Sequence, residues 1–410
     1  MLDHAHRLDP RCAIVFLVEG MIALANGQLA SATDRFRAAI ELKGDLVDAH
    51  HGLAQALQAS GEREEAIAAY RVAVRLNPAH AEAHTNLGSL LRAAGLLEAA
   101  AESHRAAIHA SPKYAAAHFN LGNALRDLDF PDKAIESYRQ ALGIEPDFVG
   151  AHVNLAELLC RLGRREEAMP HFDRAVALRP DDETLRYLAN TQREGVESRM
   201  PAALVRDEFN AYAGVFDSRL RETLEYRAPE ILAEALRKRI SPAVTGGSIL
   251  DMGCGTGLLG PFLRPFAGRL VGVDLSGAML ARARERGCYD DLIEADLVDY
   301  LASQPGGSLG IITAADVLVY LGDLGPVFSR ASYCLHERGI FAFSVEAGND
   351  EELPGYGLRR TGRFTHSRTY IETLGRQHGF RSILIEENIL RKEQGENVKG
   401  LIVVCSRAPE

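Results

Sequence analysis

The sequence predicts two folds in series: an α solenoid, then an α/β unit built on a doubly wound sheet. Three observations carry this. A period of 34 residues runs through the first half, and strand-like and helix-like segments alternate after Pro201. Between the first such strand and its helix lies a glycine-rich stretch, SILDMGCGTGLLG, Ser248 to Gly260.

The chain has 410 residues, 47% hydrophobic and 25% charged, a composition ordinary for globular domains. No apolar run reaches the roughly 18 residues of a membrane span. The start, MLDHAHRLDPRC, lacks the basic-then-apolar pattern of a secretory leader. Six cysteines (Cys12, Cys160, Cys254, Cys288, Cys334 and Cys405) stand far apart with no C-x-x-C, so a reducing cytoplasm is the expected compartment. Net charge is −10, and both halves are acidic, so duplex nucleic acid is not expected as the principal partner.

The solenoid is justified slot by slot. Ala49-His50, Ala83-His84, Ala117-His118 and Ala151-His152 share a register, followed by Leu53, Leu87, Leu121 and Leu155. Gly61, Gly95 and Gly163 share another slot, with Asp129 filling the gap, and Ala66, Ala100, Ala134 and Ala168 come next. Tyr70, His104, Tyr138 and Phe172 precede a closing proline at 78, 112, 146 and 180. Small residues let paired helices approach closely, the glycine slot makes the turn, and proline stops the second helix. A weaker unit at about 13–46 keeps Gly27, Ala32, Phe36 and Ala39 in register, and Ala5 and Pro10 imply a partial repeat before it.

This resembles the tetratricopeptide repeat, in particular the repeats of peptide-glycosylating transferases, which also write AHxNLG. The resemblance implies a concave face lined by the first helix of each pair, carrying Asn86, Asn120 and Asn154, with Ser89, Asn123 and Glu157 one turn further on. Gly52 and Val18 interrupt that ladder in the earlier units. Asn86, Asn120, Asn123 and Asn154 are candidates to grip an extended peptide, because an amide side chain both donates and accepts. The alternative is that they are solvated or bond a neighbouring helix. Four histidines in a column raise a metal site, but stacked helices lie about 8–10 Å apart while zinc–nitrogen bonds run about 2.0–2.1 Å, so packing is the expected role.

The expected organisation is a solenoid over 1–182, a capping helix and linker over 183–205 with acids at the helix's positive end, and an α/β domain over 206–410 that opens with lid helices at 206–240. GSILD, Arg269 to Asp274, DLIEAD, LGIITAAD and GIFAFSVE read as five strands. SILIEENIL and GLIVVCSR, joined through RKEQGENVK, read as an antiparallel closing hairpin.

The glycine stretch has two readings. Gly255-x-Gly257-x-x-Gly260 matches a dinucleotide fingerprint, while Asp251 stands two residues before Gly253. Glycines suit either ligand, since backbone must approach closely. Asp274, ending the second strand, suits either through ribose hydroxyls. Asp251 separates them: a pyrophosphate at a helix N-terminus wants positive potential, whereas a sulfonium and an ammonium are attracted by an acid.

LDMGCGTG, VGVDLSGAML and EADL then resemble the successive cofactor motifs of class I methyltransferases. That resemblance implies S-adenosylmethionine as cofactor and a seven-stranded Rossmann-like sheet whose last strand is antiparallel. It puts Asp251, Gly253, Cys254, Gly255 and Gly257 around the methionine part and Asp274 on the ribose. Asp296 would accept from the adenine amino group between Leu275 and Leu297, with Met279 and Ala314 close by. FNAYAGVFDSRLRETLEYRAPEIL resembles the lid of a bacterial group joining such repeats to a methyltransferase, so Tyr212 and Phe216 would close over the cofactor.

Methyl transfer asks the protein to align nucleophile and methyl, exclude water and remove a proton where required. Asp316 and Tyr320 after the fourth strand, Glu346 after the fifth, and His366 in FTHS are the candidate groups, with His366 favoured as base because imidazole titrates near neutrality. No N-P-P-Y follows the fourth strand, which disfavours amide or adenine-nitrogen acceptors. No P-loop, H-E-x-x-H or G-x-S-x-G occurs. The expected function is methylation of an acceptor recruited by the repeats, a protein or peptide first, since an extended groove suits an extended chain. The alternatives are a small-molecule methyltransferase whose repeats serve docking or self-association, and a scaffold with an inactive cofactor-binding domain.

Overall fold

The computed structural model describes residues 12–193, 197–214, 216–217, 224–240, 246–349, 355–393 and 395–407. The chain divides into two compact units, Met1–Pro180 and Asp181–Glu410. The partial repeat expected ahead of residue 12 lies outside the described residues.

The first unit is five helix pairs, from Ala13–Ala25 with Leu29–Leu42 to Val149–Arg161 with Arg165–Leu178. Each hairpin turns on a left-handed residue: Gly27, Gly61, Gly95 and Gly163 have φ of 70° to 83°, and Asp129 adopts φ 61° in the slot where glycine is missing. The alanine column (Ala32, Ala66, Ala100, Ala134 and Ala168) is fully buried between helices. Close approach is also why helical glycines recur. A Cβ at Gly122 would sit 2.6 Å from Tyr138, and one at Gly52 2.4 Å from Phe36.

The histidine column has a structural task. Nε2 of His50, His84, His118 and His152 bonds the carbonyl oxygen six residues earlier, at Gly44, Pro78, Pro112 and Pro146, over 2.9–3.1 Å. Each imidazole thus ties the loop between repeats to the helix that follows, so the Ala-His pair is a loop clamp.

His104 occupies the slot that holds Tyr70 and Tyr138 elsewhere. Its ring is fully buried, neither nitrogen finds a partner, and burial pulls its pKa down to about 4. An unsatisfied buried polar group costs on the order of 1–3 kcal/mol. His104→Phe, a ring the slot accepts in neighbouring repeats, is therefore expected to stabilise the solenoid by about 1 kcal/mol. Urea unfolding of the full chain measures this; a destabilised variant would mean that the imidazole nitrogens are doing unrecognised work.

In the second unit, β1 (Ser248–Met252), β2 (Arg269–Asp274), β3 (Asp291–Glu294), β4 (Leu309–Ala314) and β5 (Leu335–Ala347) run parallel in the order β3-β2-β1-β4-β5. The long hairpin β8 (Ser382–Glu393) and β9 (Glu396–Ser406) closes the sheet, with β9 antiparallel to β5. These seven strands are the Rossmann-like sheet with an antiparallel last strand. A further short pair, β6 (Tyr356–Leu358) and β7 (Phe364–His366), attaches through β7 to the carboxyl end of β5. FTHS was not among the segments read as strands, and three-residue strands fall below what alternation can signal.

Helices cover both faces of the sheet. Leu301, Phe328 and Ile371 pack on one side, and Leu232, Leu236 and Leu263 on the other, around strand residues that are almost wholly buried. The helix Glu183–Arg193, read as a solenoid cap, groups with the second unit. Asp182 accepts from Leu185 N–H at its positive end, and Tyr187 packs with Met200, Val319, Tyr320 and Phe364 while donating to the carbonyl of Gly362.

Candidate active site

The carboxyl ends of β1, β2, β4 and β5, the lid segment and the β8–β9 hairpin enclose a cleft of about 1290 Å³. This is where an open α/β sheet binds ligands, because the strand order reverses between β1 and β4. The cleft is lined by Asp251, Gly253, Cys254, Gly255, Asp274, Leu275, Leu297, Tyr212, Phe216, Asp316 and Tyr320, strand-end and lid positions drawn together from residues up to a hundred and eight apart in sequence.

The glycine loop divides its labour. Gly253, Gly255 and Gly257 all have positive φ, 62°, 55° and 81°. A side chain on Gly255 would meet nothing within 4 Å, so its surface is left open on the cleft. Gly253 is hemmed by Val317, with a Cβ only 2.3 Å from that side chain. Gly257 does not line the cleft; a Cβ there would press on Tyr289, Arg286 and Ala283, so it serves the packing of the loop on the following helix. Gly260, which completes the dinucleotide pattern, likewise lies against the Tyr289 ring, 2.7 Å from a notional Cβ. The third glycine of that fingerprint is thus explained by an aromatic neighbour.

Asp274 is fixed by backbone: Oδ2 accepts from Gly255 N–H at 2.9 Å and Oδ1 from Ser276 N–H at 2.8 Å. Burial raises its pKa, and these amide bonds oppose the rise. Asp251 differs from the simple picture of a free anion at the mouth of β1. It is 1% exposed, Oδ2 accepts from the Tyr289 hydroxyl at 2.7 Å, and Oδ1 from Thr313 at 2.9 Å. Burial pushes its pKa up to about 6, against the bonds from Tyr289 and Thr313.

That shift has a definite sign. The folded protein holds the Asp251 proton to a higher pH than the unfolded chain, so its contribution favours folding at low pH and is lost as pH rises through about 6. A cationic ligand favours the ionised form. Affinity for S-adenosylmethionine is therefore expected to be roughly tenfold weaker at pH 5 than at pH 7 and flat above, as read by titration calorimetry. Asp251→Asn should remove the dependence.

Besides Gly257, three expected cofactor positions lie elsewhere. Asp296 caps the helix Leu297–Ser303, accepting from Val298 and Asp299 N–H, and its other oxygen accepts from Arg199; it does not line the cleft, whereas its neighbours Ala295 and Leu297 do. Met279 and Ala314 are fully buried in the interior, and Ala315 is the residue beside the cleft. His366 is withdrawn as base. It is fully buried, its Nε2 bonds the carbonyl of Gly322 at 3.0 Å, its ring stacks on Tyr370, and burial lowers its pKa to about 4.

Asp316 and Tyr320 do line the cleft, in a setting the sequence did not reveal. Asp316 holds φ 53°, donates its N–H to Ser344 Oγ, and receives both its hydrogen bonds of 2.9 Å from Arg391. Arg391, 1% exposed, also donates to Glu346 and to Glu393, and Arg363 joins Glu393. Glu346, kept at a raised pKa by burial, thus stands inside an ionic knot. Burial of the Tyr320 phenol pushes its pKa to about 12.

The lid is pinned to the loop. Asp217 accepts from Thr256 Oγ and from Arg286, while Arg286 Nε donates to the Thr256 carbonyl. Asn210 accepts from Ser276 Oγ. Phe209 meets Phe216 and Tyr320 edge-on at 5.8 and 5.7 Å. Of the residues in these contacts, Phe216 and Tyr320 had been singled out from the sequence as site residues.

In the solenoid, Asn123 is buried and its Oδ1 accepts from both the Tyr138 hydroxyl at 2.8 Å and Asn154 Nδ2 at 2.7 Å. That pair is committed to bonding neighbouring helices, the alternative left open by the sequence. Asn86 and Asn120 are half-buried, and Asn86 bonds Tyr70.

A solenoid of two-helix repeats and a Rossmann-like domain with a glycine-lined cleft define the class: a repeat protein joined to a ligand-binding α/β domain. Residues 250–343 match the family model described as a methyltransferase domain, and residues 51–115 and 131–190 match tetratricopeptide repeat models. The chain carries tetratricopeptide repeats and a methyltransferase domain.

Over the second unit the chain is similar to the carboxy-S-adenosyl-L-methionine synthase of Wolinella succinogenes, 36% identical over 96 residues, 22% of this chain and 40% of that protein. It is also similar to the malonyl-[acyl-carrier protein] O-methyltransferase of Yersinia pestis, 32% identical, covering 27% and 40%. The chain spans about two fifths of the length of these curated relatives. Methyltransferase domains of this kind use S-adenosylmethionine in general. Among solved structures the chain is similar to MamA (24% identity, TM-score 0.38, 41% of this chain and 92% of that one) and to YrrB, a TPR protein (19%, TM-score 0.41, 45% and 96%).

Proposed function

We propose that the second unit is a methyltransferase using S-adenosylmethionine and that the repeats recruit its acceptor, a protein or peptide. The observation that carries the reading is the pair Gly255 and Asp274: an open glycine surface next to a carboxylate whose orientation is set by two backbone amides. These fit the methionine part and the ribose, with Leu275, Ala295 and Leu297 against the adenine ring and Tyr212 and Phe216 above. The donor, when bound, supplies a methyl already activated by its sulfonium. The chain's own share is to hold ribose at Asp274, favour the cation through ionised Asp251, and exclude water with the lid pinned by Asp217.

Recruitment by the repeats is supported by Asn86 and Asn120, which remain half-exposed on the first helices of their pairs, and by the extended surface that stacked repeats make. Transfer of labelled methyl into a cell extract by the full chain, resolved by mass, tests the whole reading. Labelled protein that disappears on removing residues 1–180 is expected; undiminished labelling by the shortened chain would turn the repeats into a docking or assembly device for a small-molecule enzyme.

A further inference from the structure

We propose that the acceptor of this cleft is a carboxylate, oriented by Arg359 and methylated on oxygen to give a methyl ester. This rests on reading the cleft as a methyltransferase site and names what that site accepts.

The first line of argument is the absence of a matched base. Among the described residues no histidine lines the cleft. Tyr320 and Tyr226 have pKa values raised by burial, and so does the Cys254 thiol. Asp316 and Glu393 are held by Arg391 and Arg363, and Glu387 pairs with Lys399 at 3.2 Å. Glu208 and Glu396 are exposed at the rim. Asp251, the lining acid that burial pushes up to about 6, has its two oxygens taken by Tyr289 and Thr313, so a hydroxyl acceptor would have to shed its proton here without an open base. A carboxylate arrives already ionised.

The second line is a cation with an open hand. β6 and β7 are joined by a tight turn in which Arg359 N–H donates to the Arg363 carbonyl and Gly362, at φ 76°, donates back to Arg359. This turn carries Arg359 and Thr361 into the cleft lining. Arg391 and Arg363 are hydrogen-bonded to carboxylates, but among the described residues the nearest carboxylate oxygen to Arg359 is that of Glu346 at 3.9 Å, beyond hydrogen-bond reach, and the Arg359 side chain is 58% exposed. A guanidinium is a planar fork that matches a carboxylate. An amine acceptor, protonated on arrival, would face the Arg359 guanidinium and the donor's own positive charge.

The step balances. One carboxylate oxygen lone pair forms the O–CH3 bond as the C–S bond breaks, and the bonding pair stays on sulfur. Anion and sulfonium become neutral ester and thioether, and no proton is released.

The test uses the full chain, S-adenosylmethionine labelled in its methyl group, and cell extract split into protein and small-molecule fractions. Label in either fraction should be released as volatile methanol by mild alkali, and the fraction that carries it says whether the acid belongs to a protein or a metabolite. The initial rate at limiting acceptor should stay flat from pH 7 to 9. With the purified labelled fraction as substrate, Arg359→Gln is expected to raise KM for acceptor about tenfold at unchanged kcat and donor affinity, and Arg359→Lys to recover part of it. Label that survives alkali, or a rate climbing tenfold per pH unit, overturns the carboxylate while leaving a methyltransferase. Donor binding with no label in either fraction overturns the reading beneath it as well.

Discussion

Asp274→Ala is expected to weaken binding of S-adenosylmethionine at least about 100-fold, to the limit of calorimetric detection. Two effects add. The variant removes the carboxylate that accepts from the ribose hydroxyls, and charge-assisted bonds of that kind contribute about 1.5–3 kcal/mol each. It also releases Gly255 and Ser276 N–H, which Asp274 holds at 2.9 and 2.8 Å, so the glycine loop loses its anchor to β2. Asp274→Asn keeps one acceptor oxygen and should lose less. Both variants should unfold at close to the wild-type temperature, because the residue's partners are backbone amides at the edge of a cleft. Wild-type affinity in Asp274→Ala would remove ribose recognition from this position.

Arg391→Met is expected to destabilise the second unit by about 3–5 kcal/mol, the usual consequence of stripping the partner from buried charge. Arg391 is 1% exposed and answers Asp316, Glu346 and Glu393 at once. Burial works against ionisation of Glu393, yet Arg363 and Arg391 together hold its pKa below the usual value, so the cation matters to its acids. Neutralising the acids in the same background, with Asp316→Asn and Glu346→Gln, should return much of the loss, since the cost lies in uncompensated carboxylates. Differential scanning calorimetry reads both. An Arg391→Met protein as stable as wild type would mean that water reaches the knot and the acids are not desolvated.

Much of the fold could be read in the residues because its signals are local and repeated. The 34-residue register located every hairpin, down to Asp129 taking the left-handed slot at φ 61°. The strand-end acid Asp274 and the glycines at 253 and 255 were legible for the same reason: one short motif carries them. What stayed hidden depends on distant segments meeting. Arg391 was read as part of a charged turn, but β8 and β9 run on to Glu393 and Glu396, which brings RKE alongside β4 and β5. Arg359 and Arg363 sit on a hairpin too short for periodicity to mark. His366 looked like a base because an unperturbed imidazole suits the task; burial among β7, Gly322 and Tyr370 cannot be inferred from FTHS alone. Asp251 was singled out and does line the cleft, yet it is a buried acid bonded to Tyr289, thirty-eight residues on, whose pKa burial pushes up to about 6, and not an open anion. Asp296 and Asn123 follow the same pattern, each spent on an internal bond invisible in a linear motif.

The central claim is that the cleft at the ends of β1 and β2 receives a cationic methyl donor and not a dinucleotide. Parallel calorimetric titrations of the full chain at pH 7.5 with S-adenosylmethionine and with a nicotinamide dinucleotide test it most directly. A saturable one-site isotherm for the sulfonium compound, with no heat from the dinucleotide, is the predicted result. Saturable binding of the dinucleotide with none of S-adenosylmethionine would contradict the account.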